Sequence, residues 1–292
     1  MVRLVFVHGR AQEHKVAEEL KGEWIAAWKA GLAEAGQQPP DVEIKFPYYG
    51  DTLFDLASGS TSVADVIVKG PDDTPIDPER DEFIIKVLRE TLVQVAGPAV
   101  VDASDTAVNA KGPLNWNWVQ SILEKVDQHI PGVSAASIAV ATNDVYQYLE
   151  NPGVRDTIDS GVRAALTNQR PMVVVAHSLG TVVAYNLLRR EGQAQGWNVP
   201  LFMTLGSPLG VTAIKRKLSP IKHPTCVGRW VNAFDKRDVV SLHPLDAAHF
   251  TIDPPIENID NIRNKTANRH GIAGYLDNAE LANEIRQSLL NT

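Results

Sequence analysis

The stretch "VVVAHSLGTVVAYNLL", Val173 to Leu188, changes its hydrophobic period at a single serine. Before it, Val173 to Ala176 form an unbroken apolar run of the kind that fills a buried strand; after it, Thr181 to Arg190 repeat with the three- and four-residue steps of a helix. Ser178 stands at the junction. Its hydroxyl either caps the helix, a common role for serine, or is presented as a nucleophile on a sharp strand-to-helix turn. The same alternation extends outward on both sides. A helical pattern around Val154 to Leu166 and the strand Met172 to Ala176 precede the serine, and strands at Leu201 to Leu205 and Val227 to Phe234 follow it. A last helix runs from about Asn278 to Leu290. At the amino terminus, a strand at Val2 to Val7 leads into a helix carrying Val16, Leu20, Trp24, Ala27, Trp28 and Leu32 on one face, stopped by Gly36 and Pro39-Pro40. A second strand follows at Val42 to Phe46. Strands separated by helices predict an α/β fold, with a mainly parallel sheet flanked by helices on both faces.

The alternation stops between Asp51 and Glu150, where no strong strand pattern occurs. A Pro- and Asp-rich loop, "KGPDDTPIDPERD", leads to a helical pattern through Phe83, Ile84, Val87, Leu88, Thr91, Leu92 and Val95, with Asp77-Pro78 as an N-cap and first-turn proline. Another helix carries Trp116, Val119, Ile122, Leu123, Val126 and Ile130 along one face. The acids Asp72, Asp73, Asp77, Glu79 and Asp81 lack the spacing and the glycine of a calcium loop. The expectation is one domain over residues 1–292 with a helical cap inserted at 51–150.

Composition narrows the function classes. The chain has 292 residues, 44% hydrophobic and 22% charged, enough for one closed core plus an insertion. A net charge of -7 argues against a nucleic-acid groove, which needs a clustered positive field. The basic run "IKRKLSPIKH", Ile214 to His223, reads as a solvated loop. No apolar stretch reaches the roughly 18 residues needed to span a bilayer, so no transmembrane segment is expected. The first strand is too short for a secretory h-region. Cys226, alone, can form neither an internal disulfide nor a thiolate metal site, and a cytoplasmic location fits best.

The pentapeptide "AHSLG", Ala176 to Gly180, matches the nucleophile-elbow motif G-x-S-x-G except that Ala176 replaces the first glycine, a change that still leaves a small side chain at the turn. Here the chain resembles the α/β-hydrolase superfamily, and "AHSLGTVVAY" is especially similar to serine esterases and lipases. The resemblance implies that an acid and then a histidine follow the serine, each from a loop beyond a later strand. "NAFDKRDVVSL" offers Asp235 and Asp238; its likeness to the lipase pattern of an acid before a short apolar pair favours Asp238, while Asp235 is suited to capping the turn or binding a backbone amide. "NRHGIAGYL" offers His270 just before the last helix, where the superfamily's histidine is expected. His243 and His249 are its rivals, and His177 is expected to point away from the serine. "VFVHGRA" resembles the lipase "HG" turn after the first parallel strand, which implies Arg10 and Leu179 as backbone donors to an oxyanion.

The implied chemistry is hydrolysis of a carboxylic ester of a small molecule or lipid through an acyl-enzyme, with Ser178, His270 and Asp238 as nucleophile, base and acid and with no metal or organic cofactor. An acyltransferase, thioesterase or amidase would use the same residues. A non-catalytic module retaining a hydrolase-like pocket is the alternative from another class. Tyr48, Tyr49 and Phe54, after the second strand, are candidates for the pocket rim, and Trp116 and Trp118 for a lid over Ser178.

Overall fold

The computed structural model describes residues 2–10, 16–51, 77–100, 116–129 and 134–291. Six strands form one parallel sheet: β1 (Arg3–Val7), β2 (Glu43–Lys45), β3 (Met172–His177), β4 (Val199–Leu205), β5 (Val227–Ala233) and β6 (Glu257–Ile259), in the order β2-β1-β3-β4-β5-β6. β3 is central, with all six residues buried; its β-branched valines suit a strand covered on both faces. Val173 and Val175 point to one side, together with Leu4 and Phe6 of β1 and Leu201 and Met203 of β4. Val174 and Ala176 point to the other, with Val5, Val7 and Phe202.

On the first face lie helix α1 (Ala17–Glu34), whose Leu20, Trp24, Trp28 and Leu32 follow the predicted stripe, and, numbering in chain order, α9 (Ala279–Leu290), through Leu281, Ala282, Ile285 and Leu289. On the second lie α5 (Pro152–Arg163) and α6 (Leu179–Glu191). The last two described helices of the parent fold are α7 (Thr212–Leu218) and the short α8 (Ala273–Leu276). The basic run after Ile214 is therefore helical as far as Leu218 rather than a loop, although Arg216 and Lys217 are solvent-exposed.

Between β2 and α5 the described chain forms three long helices, α2 (Pro78–Ala96), α3 (Trp116–His129) and α4 (Ala135–Glu150). Asp77 caps α2 by accepting the Arg80 N–H at 3.1 Å, and Pro78 occupies the first turn. The three helices have their own apolar core, with Ile84, Leu88 and Leu92 of α2 against Ile122 and Val126 of α3 and Ile138 and Ala139 of α4. Val239, from the loop after β5, joins that core and connects it to the parent sheet.

The strand order decides where a ligand fits. From β1 the chain moves to one side to make β2, then returns across β1 to make β3 on the other side. The carboxyl ends of β1 and β3 therefore flank a point where the crossover direction reverses, and in open α/β sheets ligands bind in the crevice at such a point.

Candidate active site

Ser178 sits at that crevice, directly after β3. Its backbone has φ 55° and ψ -129°, a region glycine enters freely and other residues rarely do. Its amide donates to Leu205 O at 3.1 Å, while its side chain makes no capping bond to α6. The hydroxyl instead meets His270 Nε2 at 2.9 Å. Close approach of bare backbone makes the turn possible. A Cβ on Gly180 would lie 2.4 Å from the carbonyl oxygens of Val7 and His8, and one on Gly9 would lie 2.8 Å from Ser178 Cβ. The turn after β1 and the turn after β3 are thus packed against each other through their glycines.

His270 faces Asp238 Oδ2 through Nδ1 at 2.7 Å. Asp238 is buried, and its Oδ2 also accepts the Tyr275 hydroxyl at 2.6 Å while Oδ1 accepts the Val240 N–H at 2.9 Å. Burial alone would raise this carboxyl. The His270 charge and the three donors outweigh burial and hold it below the usual carboxylate range. An ionised carboxylate only accepts, so Nδ1 carries the ring proton, and in the neutral imidazole Nε2 is free to accept from the Ser178 hydroxyl. Of the two acids after β5, Asp238 is the one that reaches the histidine.

Asp235 has a different task. Its carbonyl accepts the Asp238 N–H at 2.9 Å, closing the turn that turns Asp238 toward the site, and its carboxylate takes the N–H groups of Arg237 at 2.9 Å and Asn264 at 2.8 Å. Asn264 Nδ2 in turn donates to Gly271 O at 2.8 Å, and Asn268 Oδ1 accepts the His270 N–H at 3.1 Å. The loop carrying His270 is therefore tied at several backbone points. Sequence reasoning missed Asn264, Asn268 and Tyr275. It also missed Gly206, which ends β4 at φ 56° where a Cβ would lie 3.1 Å from both Asp238 Oδ2 and His270 Nδ1.

The remaining histidines are placed elsewhere. His177 makes no contact with the serine hydroxyl; its Nε2 meets His270 O at 2.7 Å and its ring lies 4.7 Å from that of His270. Burial, then the neighbouring His270 charge, lower its pKa to about 3, so it is a neutral donor. His243 binds Glu90 at 2.8 Å and stacks on His249, which binds Asp246; both line a hollow of about 840 Å³ between α2 and α7, apart from Ser178. His249 lies in a turn.

His8 fixes the turn preceding Arg10. Its Nδ1 bonds Gly9 O at 2.6 Å, its Nε2 accepts the Tyr49 N–H at 3.0 Å, and the Tyr49 hydroxyl donates back to His8 O. Tyr49 is buried beneath this turn and Tyr48 bonds Asp51; neither is among the described residues lining the space beside Ser178. Phe54 lies outside the described residues. Trp116 and Trp118 belong to α3, but their side chains lie outside the described residues. α4 lines the space beside Ser178 through Ile138 and Ala141, and Asp144 of α4 holds the Arg10 side chain at 2.7 Å. The first N–H groups of α6, beginning with Leu179, have no acceptor within their own helix, and the helix dipole adds partial positive charge there.

Among the described residues no group of three or more His, Cys, Asp or Glu side chains is placed to hold a metal, and no helix is long and apolar enough to cross a membrane. Comparison with family models, with curated proteins and with solved structures gives no match to this chain.

Proposed function

We propose that the chain is a serine hydrolase of the α/β-hydrolase type that cleaves a carboxylic ester through an acyl-enzyme. The observation that carries this reading is the unbroken line Ser178 Oγ, His270 Nε2 and Nδ1, Asp238 Oδ2, with separations of 2.9 and 2.7 Å, starting from a strained serine that caps nothing. A serine hydroxyl is a weak nucleophile until a positioned base takes its proton. In this reading His270 takes the proton as Oγ attacks the acyl carbon, and Asp238 holds the tautomer and stabilises the imidazolium. The Leu179 N–H, at the start of α6, and the Arg10 N–H, beyond the glycine packed on Ser178, are assigned to the oxyanion. His270 then gives its proton to the departing alcohol, and water hydrolyses the acyl-enzyme by the same steps in reverse. The helices of the 51–150 insertion form the cap. Cys226, whose thiol burial pushes up to about 11, takes no part, and a single free cysteine suits a reducing compartment such as the cytoplasm.

A fluorophosphonate tests the reading, because it phosphonylates only an activated serine. The wild type is expected to gain one covalent adduct by intact-mass measurement and Ser178→Ala none. A folded wild-type protein that stays unlabelled, or an adduct that persists in Ser178→Ala, refutes it.

A further inference from the structure

Building on that reading, we infer that the substrate joins a short apolar acyl group, of about three to four carbons, to a larger alcohol. Among the described residues two cavities meet at Ser178, and they differ in size and in access to solvent. The smaller, about 30 Å³, is walled by Val87, Thr142, Val145, Leu179, Val211 and Ile214. All six are buried, and the Thr142 hydroxyl is committed to Ile138 O at 2.8 Å; Ser178 and Arg10 are the other polar residues described there, so the slot is mostly apolar. The larger, about 340 Å³, is lined by His270, Asn268, Glu23 and Ser137 but also by Leu20, Trp24 and Ile272, and most of its wall is apolar. Glu23, Ser137 and Asn268 are solvent-exposed, so this cavity opens outward.

The direction of proton transfer assigns the two. As the Oγ–acyl bond forms, the hydroxyl proton passes to Nε2; as the bond to the alcohol oxygen breaks, that same proton must pass from Nε2 to the leaving oxygen. The alcohol therefore lies on the side lined by His270, which is the larger cavity, open to solvent. The acyl group is left on the opposite side, beside Leu179, in the small slot. One water-sized group needs roughly 10–15 Å³ on this measure, so the slot takes two or three carbons beyond the carbonyl. A fatty chain would require buried side chains from α2, α4 and α7 to part.

The test is a series of p-nitrophenyl esters from acetate to dodecanoate, run alongside fluorophosphonate labelling. kcat/KM is expected to peak at propionate or butyrate and to fall at least tenfold by octanoate. Ile214→Ala and Val145→Ala, which lengthen the slot from two different helices, are expected to move the peak toward hexanoate. A labelled enzyme that prefers octanoate or longer overturns the acyl assignment while leaving the serine-hydrolase reading intact. So does an unchanged chain-length profile in both variants with unchanged melting temperatures. Absence of labelling instead sinks the underlying reading and this inference with it. For the alcohol side, a butyryl monosaccharide is expected to be cleaved at least as well as ethyl butyrate; a tenfold preference for the ethyl ester refutes the large-alcohol assignment.

Discussion

Asp238→Asn separates charge from shape at the centre of the proposed site. The substitution keeps the volume of a buried side chain that meets His270 at 2.7 Å, Tyr275 at 2.6 Å and Val240 N at 2.9 Å. With the new amide nitrogen toward His270, it donates to Nδ1 and drives the ring proton to Nε2, which can then no longer accept from Ser178. With the nitrogen toward Val240, two donors oppose each other in a buried place. In either orientation the imidazolium formed during attack faces a neutral group. Two unit charges about 4 Å apart at an effective dielectric of about 20 attract by about 4 kcal/mol, which at about 1.4 kcal/mol per decade is a thousandfold in rate. Adding the tautomer penalty, kcat on p-nitrophenyl butyrate should fall on the order of 10³- to 10⁴-fold. Thermal melting run in parallel separates loss of chemistry from loss of fold. A well-folded Asp238→Asn within tenfold of wild type would refute the acid assignment, and a greater loss in a well-folded Asp235→Asn would transfer it to Asp235.

Tyr275→Phe should lower kcat/KM by about tenfold, the worth of one hydrogen bond to a charged group. It should also raise the acid-unfolding midpoint. Asp238 is held below its unfolded pKa, so its stabilisation is present above that value and is lost as pH falls through the folded one; with one donor fewer, that loss comes at higher pH. His177, neutral down to about pH 3, acts in the same direction: between about pH 6.5 and 3 the unfolded chain binds a proton that the native one excludes. Stability should therefore fall on acidification by at most about 1.4 kcal/mol per pH unit from this residue, and urea midpoints of His177→Gln at pH 7 and pH 5 should differ less than those of the wild type. Gly206→Ala should abolish most hydrolysis, since its Cβ would lie 3.1 Å from both Asp238 and His270 at a positive φ; near-wild-type turnover would show that the two side chains can shift without consequence.

Much of the sheet could be read from the sequence because each buried strand is an apolar run closed by glycine or a polar turn, as at Val2 to Gly9 and Met172 to Ser178. That Ser178, Asp238 and His270 would lie side by side followed from the resemblance of their flanking residues and their order along the chain. Helix α4 was not. Its "AASIAVATNDVYQYLE" buries Ile138, Thr142, Asn143, Asp144, Val145, Tyr146 and Tyr148, side chains spread around the helix rather than along one stripe, and it is rich in residues of modest helix propensity. Its caps did carry a signal: Ser134 accepts the Ser137 N–H, and Asn151-Pro152 opens the next helix. β6 has only three residues and no apolar run. Tyr275 and Asn264 act through contacts with Asp238, Asp235 and Gly271, and nothing in their own neighbourhood of the chain marks those partners.

The backbone at Ser178 sets endurance against activity. A non-glycine residue held at φ 55° and ψ -129° costs on the order of 1–3 kcal/mol that glycine would not incur, so Ser178→Gly relaxes the turn, whereas Ser178→Ala retains its strain. The residue proposed to do the chemistry is thus among those the fold would gain most by replacing. A directed-evolution campaign scored on thermal resistance alone would discard this serine among its first improvements, and would deliver a hardier molecule with an empty elbow.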